Sequence, residues 1–518
     1  VGAVAAALRG LGVGPQDTVA AYLPDVAEAM VAFLATAAVG AIWSGCGQDY
    51  APEGAAARLH QLGPKVLFAS DGYSYGGRWV DKRADTAELR RLLPGNPALM
   101  RVEDLPETPT APDVVAVPFD HPLWVLFSSG TTGRPKGIVH GHGGVLLEHL
   151  KAVNLHGGLG PGDRFFWQTA LSWMMWNFRL SGLLCGCTVI CYNGHPLRPD
   201  ADRLWQLVAE EKVTYFGTSP GQLLASRKAA LKPGSSHDLT GLTTVGSTGS
   251  PLSADLFDWV NSAVGQDVLV SSISGGTDVV TAFAGGTPGV PAVPGELACR
   301  YLGVALQSWS PDRRPLIGEV GEMVITAPMP SMPVKFWNDP DGSKYRNAYF
   351  AHEWADGPSP GVWRHGDWVT VTERGSLIIH GRSDATLNRH GIRMGPADIY
   401  EVVEGIDEVG EAFVLGIDLA GGAYWMPLFV TTAPGTHLDA ALEDKIRHQL
   451  RTKLSPRHVP DDVIEAPGIP HTRTGKKLEV PVTAIMAGRA DVAIDPRSID
   501  DPSLIDWYRQ QAENHRAR

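Results

Sequence analysis

Short runs of apolar residues recur along the first half of the chain, separated by longer segments with helical periodicity. The runs are VLFAS (66–70), WVLF (124–127), CTVICY (187–192), VTYFG (213–217), LTTVGS (242–247) and VLVSSIS (268–274). Short apolar runs that alternate with helices are typical of parallel strands covered by helices on their faces. The pattern therefore predicts layered α/β sheets with parallel strands in the N-terminal part of the chain.

The pattern changes twice towards the C-terminus. From about residue 290, GEVGEMVIT and WRHGDWVTVTERGSLIIHGR bring strand and turn signals close together, which predicts a small antiparallel or barrel-like β piece. After Arg382, two helix candidates, IYEVVEGI and LEDKIRHQLRTKL, flank the apolar strand EAFVLGI. We therefore expect a large N-terminal domain over residues 1–382 and a small α/β domain over residues 385–518. Because the chain begins with Val1 rather than Met, its extreme N-terminus is expected to be missing.

Composition argues against two classes of partner. The net charge is −12 and no long basic stripe occurs, whereas nucleic-acid binding needs clustered Lys and Arg. The most apolar stretch, AMVAFLATAAVGAIW (29–43), has fifteen residues, fewer than the ~20 that cross a bilayer. We therefore expect neither nucleic acid nor a membrane as partner. Five cysteines do not make a disulfide framework in a chain of 518 residues, so a reducing, cytoplasmic location is expected.

The segment FSSGTTGRPKG (127–137) is the first candidate for chemistry. It follows the strand WVLF and precedes the helical pattern GGVLLEHLK, a context in which backbone N–H groups bind an anion. Its side chains suited to phosphate are Ser128, Ser129, Thr131, Thr132 and Lys136. It is not a Walker A loop, because Gly130 is followed after four residues by Pro135. A phosphate-binding loop is predicted; the alternative is a solvated turn.

Two other patterns indicate weaker alternatives. GTSPG (217–221) matches the nucleophile elbow of serine hydrolases, but Pro220 has no N–H to donate to an oxyanion. The possible metal ligands are Cys185, Cys187, Cys191, His140 and His142. They lack the spacing of a structural zinc site, so no protein metal cage is predicted. A phosphate-borne Mg²⁺ remains as the expected metal.

Six motifs occur in a set order. They are FSSGTTGRPKG, GSTGSPLS (246–253), GGTD (275–278), WRHGD (363–367), GRSDATLNRHGIRMGPADIYEVVE (381–404) and PHTRTGKK (470–477). Together they resemble the adenylate-forming superfamily of acyl-CoA synthetases, peptide-synthetase adenylation domains and luciferases, over essentially the whole chain. The resemblance implies the acyl-adenylate synthetase fold, and an enzyme that makes an acyl-AMP from a carboxylic acid and ATP and transfers the acyl group to coenzyme A.

The resemblance also implies roles for individual residues. Those expected to bind ATP are Thr131, Thr132 and Lys136 at the β- and γ-phosphates, Gly249, Ser250 and Pro251 at the adenine, Asp367 at the ribose, and Arg382 and Arg393 at the phosphates. Those expected to act in catalysis are Lys476, Thr277 and Asp278. Lys476 is expected to reach the substrate carboxylate and the α-phosphate, and Thr277 to approach that phosphate. Asp278 is expected to contact Mg²⁺, at a position where the family usually has Glu.

A swing of the small domain between two half-reactions is a further implication of the resemblance. Asp384 matches the hinge, so residues 383–384 are expected to separate the large domain from the small one, which carries Lys476. Gly391 is expected to line the pantetheine tunnel. Arg78 and Arg451 are expected to contact phosphates of coenzyme A.

The acyl pocket is expected to include Gly275, Trp173 and Trp176. Relatives that use acetate carry Trp at the position of Gly275, and loss of the indole is expected to open room for acetoacetate, a four-carbon β-keto acid. The segment SWMMWNF (172–178) is expected to supply part of the wall, with core packing as the alternative. A synthetase for another short or branched acid remains open, as does a non-catalytic nucleotide-binding protein that kept the fold.

The spacing Pro470, four residues, Gly475, Lys476 resembles the pattern that protein acetyltransferases read in bacterial acyl-CoA synthetases. A lysine acetyltransferase and a deacetylase acting on Lys476 are therefore expected partners, besides the small-molecule substrates acetoacetate, ATP and coenzyme A. Acetylation would remove the positive charge of Lys476, so it is expected to switch the enzyme off.

Overall fold

The computed structural model describes residues 1–128, 135–354, 357–358, 361–383, 387–389, 392–394, 396–418, 424–453, 456–472, 475–488 and 499–516. The helices within these ranges are α1 Gly2–Gly10, α2 Ala27–Ala38, α3 Pro52–Leu59, α4 Arg83–Leu92, α5 His142–Leu150, α6 Met174–Leu180, α7 Arg203–Glu210, α8 Pro220–Lys228, α9 Pro233–Ser236, α10 Ala254–Ala263, α11 Ser343–Tyr349, α12 Pro396–Glu404, α13 Ala440–Lys453, α14 Glu479–Met486 and α15 Ser503–Arg516. None of these helices combines the length and the apolar character that a membrane span requires.

The strands of the same ranges are mostly short. They are β1 Thr18–Leu23, β2 Ile42–Gly47, β3 Val66–Ala69, β4 Gly72–Tyr75, β5 Arg78–Asp81, β6 Ala98–Arg101, β7 Pro122–Ser128, β8 Lys136–Gly141, β9 Arg164–Trp167, β10 Thr188–Ile190, β11 Tyr215–Thr218, β12 Thr244–Ser247, β13 Leu269–Ser272, β14 Ser274–Gly276, β15 Thr281–Gly285, β16 Cys299–Arg300, β17 Leu306–Trp309, β18 Pro315–Leu316, β19 Val320–Ile325, β20 Lys335–Phe336, β21 Glu353–Trp354, β22 Gly357–Pro358, β23 Trp363–Val371, β24 Leu377–Arg382, β25 Leu387–Arg389, β26 Ile392–Met394, β27 Val409–Val414, β28 Ile417–Asp418, β29 Tyr424–Trp425, β30 Pro427–Thr432 and β31 Asp462–Glu465.

Two sheets form the N-terminal part and confirm the predicted α/β layers. One has the order β20-β8-β7-β2-β1-β3-β6, and its strands β7, β2, β1, β3 and β6 run parallel. The other, β10-β9-β11-β12-β13, is parallel throughout. Helices cover both sheets, which is why β1 and β3 are buried at every position.

The motif GTSPG marks the start of a helix rather than a nucleophile elbow. It lies where β11 leads into α8, and the Ser219 hydroxyl accepts a hydrogen bond from the Gln222 N–H at 3.3 Å. Pro220 occupies the first turn of α8, where its missing N–H costs nothing. The serine is therefore explained as a helix cap.

The predicted antiparallel β piece is also confirmed. β14 and β15 form a hairpin that β16 extends, and β18-β17-β19-β23-β24 form an antiparallel sheet. Further along the chain, β27 and β30 pair antiparallel and β31 adds to β30 in parallel, with α12 and α13 against them. The fold is thus a large N-terminal α/β part followed by a smaller C-terminal one; the boundary at residues 383–384 stays a prediction.

A buried ion pair joins two distant segments of the N-terminal core. Arg179 on α6 is fully buried, and its guanidinium donates to both carboxylate oxygens of Asp25, which lies just before α2. The same carboxylate accepts the N–H of Tyr192 at 3.2 Å, and the guanidinium also donates to the carbonyl of Trp167. Buried charges of this kind are stable only as long as both partners are present.

We expect Arg179→Met to destabilise the folded protein by about 3–5 kcal/mol, because it leaves the Asp25 carboxylate buried without its cation. Asp25→Asn combined with Arg179→Met should recover part of the loss, since no unpaired charge remains. Thermal unfolding midpoints measured at one scan rate check both variants. Glu88→Gln is the control, because its pair with Arg91 is exposed. A double variant no more stable than Arg179→Met would contradict the explanation.

Candidate active site

The predicted phosphate loop connects two paired strands. Ser128 at the end of β7 lies opposite Lys136 at the start of β8, so the loop between them closes a hairpin. The Lys136 ammonium lies over the rings of Phe336 and Tyr349, 4.5 and 5.1 Å from their centroids. Residues Ser129, Thr131 and Thr132 lie outside the described residues.

Asp278 lies in the turn that joins β14 to β15, close to the phosphate loop. Its carboxylate accepts a hydrogen bond from the Tyr349 hydroxyl and is 3.7 Å from the Lys136 ammonium. Burial alone would raise the pKa of Asp278, but Lys136, His365, the Tyr349 hydroxyl and Lys476 outweigh it and hold the pKa below its ordinary value. Asp278 is therefore a carboxylate at neutral pH.

Asp367 lies on β23, where it is 8% exposed. Its two oxygens are 3.5 Å from His365 Nε2 and 3.4 Å from Arg382 Nη1. Register brings Arg382 there, because Asp367 pairs with Arg382 across β23 and β24. Gly366, with φ of +87°, leaves the space: a Cβ at this position would be 2.8 Å from Arg382 Nη2. The chain thus builds an acidic group with a fixed cationic partner.

Lys476 reaches this cluster from the C-terminal part of the chain. It lies in a turn in which the Thr472 N–H donates to the Lys476 carbonyl at 2.7 Å. The residue as a whole is exposed, although the protein atoms around its ammonium lower its pKa by desolvation. The positive charge of Arg382 lowers that pKa further, and Asp278 and Asp367 oppose the shift. The structure therefore brings Lys476, Asp278, Asp367 and Arg382 into one electrostatic cluster.

The predicted adenine segment follows β12 at the carboxyl edge of the parallel sheet, where ligands of open α/β sheets bind. Gly249, Ser250 and Pro251 are exposed there. Gly249 has φ of +105°, and a Cβ at this position would be 4.0 Å from Cζ2 of Trp173. Trp173 is partly buried and borders the same open edge.

These groups suit an anionic phosphate ligand. Lys136, Lys476 and Arg382 supply three cations that come from different elements and act on the same carboxylates, Asp278 and Asp367. Among the residues that the structure describes, no group of three His, Cys, Asp or Glu side chains is arranged to hold a metal ion. A divalent cation here would therefore need oxygen ligands from a bound phosphate in addition to Asp278.

Comparison with known proteins identifies the family to which the chain belongs. The model of the AMP-binding enzyme family matches residues 1–332, and that of the AMP-binding enzyme C-terminal domain matches residues 399–476. The chain belongs to the AMP-binding enzyme family. It is similar to the acetoacetyl-coenzyme A synthetase of Rhizobium meliloti (strain 1021), at 42% identity over 97% of this chain and 79% of that protein.

Two further relatives support the assignment to the AMP-binding enzymes. The acetoacetyl-CoA synthetase of Mus musculus is 38% identical over 98% of this chain and 78% of its own length. The solved structure of the acetoacetyl-CoA synthetase from Streptomyces lividans is 50% identical and has a TM-score of 0.92, covering 99% of this chain and 80% of that one. The likeness therefore extends over nearly the whole chain in both sequence and fold.

Some residues predicted from the AMP-binding enzyme motifs are not joined to the cluster. Arg78 starts β5 on a surface hairpin and Arg451 lies near the end of α13, both exposed. Among the described residues, no hydrogen bond or ion pair links either of them to Asp278. Asp384 and Gly391 lie outside the described residues, and Arg393 is described only through its backbone in β26. Their roles stay predictions.

The acyl pocket stays a prediction, and two of its expected residues are closely packed. Trp176 is 1% exposed and stacks on Trp43 with centroids 6.2 Å apart, so it has the core-packing role that was its alternative. Gly275 does not face open space, because a Cβ there would be 2.1 Å from the carbonyl oxygen of Thr281 on β15. The neighbouring strand therefore occupies the space directly beside Gly275.

Two side chains beside the carboxylates were missed from the sequence. Tyr349, whose pKa is strongly raised by burial and by Asp278, belongs to no motif of the AMP-binding enzymes quoted above. His365 lies inside WRHGD, two residues before Asp367 on the same strand, so strand alternation could have placed both on one face. Burial lowers the pKa of His365, and Arg382 and Lys476 lower it further against the opposing Asp367 and Asp278.

Gly275 and its neighbour provide a matched pair of substitutions. Gly275→Ala should push β14 away from β15 and cost about 1–3 kcal/mol, as overpacking generally does. Gly276→Ala should fold as wild type, because its Cβ would meet nothing closer than Asp278 Oδ2 at 3.5 Å. Thermal unfolding midpoints of the two variants check this. Equal midpoints would show that β15 yields and that Gly275 is not needed for the close approach.

Stability should depend on pH through His471, which precedes the Lys476 turn. Burial opposes its charged form, but hydrogen bonds and charges from Asp500 and Glu411 outweigh burial and raise the pKa of His471 to about 9. The stabilisation is thus fully present below the ordinary pKa of 6.5 and is lost as pH rises through about 9. We expect the wild-type unfolding midpoint to fall between pH 6.5 and 9.5 more steeply than that of His471→Gln. Parallel pH profiles would contradict the assignment.

Proposed function

We propose that this chain ligates acetoacetate to coenzyme A at the expense of ATP. Acetoacetate and ATP give acetoacetyl-AMP and pyrophosphate, and the thiol of coenzyme A then displaces AMP with release of a proton. The observation that carries the proposal is the convergence of Lys476 with Asp278, Asp367 and Arg382, in a chain that matches acetoacetyl-CoA synthetases over at least 97% of its length.

In the first step, the protein mainly positions groups and neutralises charge. A carboxylate oxygen of acetoacetate attacks the α-phosphorus of ATP, and negative charge accumulates where the two anions meet. The Lys476 ammonium balances this charge, and its compact shape suits a crowded transition state. Lys136, together with Thr131 and Thr132 of the phosphate loop, holds the leaving pyrophosphate. Thr277 donates to the α-phosphate from the turn after β14.

Residues at two edges of the candidate site orient the nucleotide. Asp367 accepts hydrogen bonds from the ribose hydroxyls, and Arg382, 3.4 Å from one of its oxygens, orients that carboxylate. Gly249, Ser250 and Pro251 border the adenine, with the ring of Trp173 beside them. Mg²⁺ fits at Asp278, which is anionic and has one oxygen not engaged by Tyr349. Asp278 would hold Mg²⁺, which would supply charge neutralisation for the leaving pyrophosphate.

The second step uses coenzyme A, for which we propose Arg78 and Arg451 as phosphate contacts and Gly391 as part of the pantetheine path. We further propose that the small domain turns about Asp384 between the two steps, and that acetylation of Lys476 stops the first. We assign the position of Lys476 near Asp278 and Asp367 to the first step.

The test uses purified enzyme with Mg²⁺, ATP and a panel of acids. We expect pyrophosphate exchange and coenzyme A thiol loss with acetoacetate, at a kcat/KM at least about tenfold above that with acetate, since one or two methylene-sized contacts are worth that much. A higher kcat/KM for butyrate or a branched acid would replace acetoacetate by that acid. ATP binding without exchange for any acid would identify the non-catalytic alternative.

Lys476→Gln, which mimics acetylation, separates the two steps. It should lower pyrophosphate exchange by about a hundredfold or more, because the transition state loses a charge-neutralising group. Thioester formation from supplied acetoacetyl-AMP should be retained. Lys232→Gln is the control, because Lys232 is exposed and, among the described residues, no hydrogen bond or ion pair joins its side chain to Asp278, Asp367 or Arg382. Exchange that survives Lys476→Gln would overturn the catalytic assignment of this lysine.

A further inference from the structure

The turn that carries Thr277 and Asp278 is held by side chains through its main chain. Three consecutive carbonyls accept hydrogen bonds: Asp278 from His140 Nε2 at 3.0 Å, Val279 from Ser331 Oγ at 2.6 Å, and Val280 from His149 Nε2 at 2.6 Å. The three donors are 0–2% exposed, so water does not compete with them. We call His140, His149 and Ser331 the carbonyl clamp.

The backbone of this turn is in an uncommon conformation. Val280 has φ of +52°, in the left-handed region that β-branched residues rarely adopt and that costs about 1–3 kcal/mol. Such a conformation persists only when its surroundings impose it. The N–H groups of Val279 and Val280 both point back to the carbonyl of Gly276, at 3.2 and 2.8 Å, and the clamp holds the carbonyls on the other side.

Hydrogen bonding determines the proton positions in the clamp. The indole N–H of Trp124 can only donate, and it lies 3.2 Å from His140 Nδ1, so Nδ1 accepts and Nε2 carries the proton that goes to Asp278. His149 donates from Nε2 to Val280 and meets the Ser181 hydroxyl through Nδ1. Burial lowers the pKa of both His140 and His149 to about 4, so both are neutral at physiological pH.

Asp278 is thus held at both ends. His140 binds its carbonyl, while the Tyr349 hydroxyl binds its carboxylate. We propose that His140, His149 and Ser331 are positioning residues for the first half-reaction: they impose the backbone conformation in which Thr277 and Asp278 meet the phosphates of ATP. This proposal rests on the function proposed above, and it assigns no contact between the clamp and substrate.

The test compares variants that lose a donor with variants that keep one. His140→Phe and Ser331→Ala remove the hydrogen bonds to Asp278 and Val279. His140→Gln and Ser331→Thr keep a donor at a similar reach and serve as rescue variants. His156→Phe is the matched control, because His156 is another buried imidazole, 5% exposed and stacked on Tyr301 at 3.8 Å, outside the turn.

Two readouts separate positioning from general stability. We expect the donor-free variants to lose about tenfold to a hundredfold in kcat of pyrophosphate exchange, the effect of misplacing reacting groups by ~1 Å. Their conversion of supplied acetoacetyl-AMP and coenzyme A should stay within about threefold of wild type. Amide hydrogen exchange over residues 276–281, measured by mass spectrometry, should speed up in the donor-free variants and not in His156→Phe.

The outcomes are distinct. Exchange kcat within about twofold of wild type in both donor-free variants, or an equal fall of both half-reactions, would overturn the positioning role. Unchanged amide exchange over residues 276–281 would overturn the clamp itself. If wild-type enzyme forms no acyl-adenylate with any acid, the proposed function fails, and amide exchange still decides whether the clamp holds the turn.

Discussion

The site depends on one electrostatic constraint: the ammonium of Lys476 must lie within electrostatic reach of carboxylates that come from other parts of the chain. Removing an ammonium from water is costly unless opposite charges meet it. Asp278 and Asp367 oppose the fall in its pKa, and Arg382 adds to it. With Lys136, the cluster holds three cations and two carboxylates, a surplus of one positive charge. A bound polyphosphate reverses that balance, so the arrangement is built for an anionic partner.

Asp278, Asp367 and Arg382 all precede residue 383 in the chain, so the position of Lys476 beside them depends on how the C-terminal part contacts the N-terminal part. α12 packs against β24, and the Lys228 ammonium at the end of α8 donates to the carbonyls of Val409 and Gly410 at 2.8 and 2.7 Å. Burial lowers the pKa of Lys228, against nearby carboxylates that raise it. Breaking hydrogen bonds between an ammonium and backbone carbonyls costs less free energy than breaking a buried ion pair. A contact of this strength can be broken and formed again, as the proposed rotation of the small domain between the two chemical steps requires.

The sequence predicts what depends on local pattern and misses what depends on distant packing. The run VTYFG became β11 and LTTVGS became β12, because short apolar runs between helices have few other solutions. Asp367 and Lys476 were found through motifs. Tyr349 was not, since it meets Asp278 across 71 positions, and His140 and His149 reach the same turn across 138 and 131 positions. No local pattern encodes such contacts.

Gly275 is a second example of a feature that depends on packing rather than on local pattern. The resemblance predicts free space at this glycine, because a motif reports the absent side chain and not the response of the backbone. Without a Cβ, β14 approaches β15 until a methyl group would be 2.1 Å from the Thr281 carbonyl. The close approach of β15 thus determines what surrounds Gly275, whereas Trp173 borders the open edge near Gly249.

The choice of neutral donors for the turn follows from the charge balance of the cluster. An Arg or Lys in place of His140 would also donate to the Asp278 carbonyl, but it would bring a further buried cation beside a carboxylate that already meets Lys136 and Lys476. That cation would hold Asp278 more tightly and compete with any metal ion for its charge. A neutral imidazole, with its proton directed by the Trp124 indole, fixes the backbone without changing the local charge. The geometry of the turn and the charge of its carboxylate are thus set by different groups. The backbone of the turn is fixed, while the Asp278 carboxylate stays available to substrate.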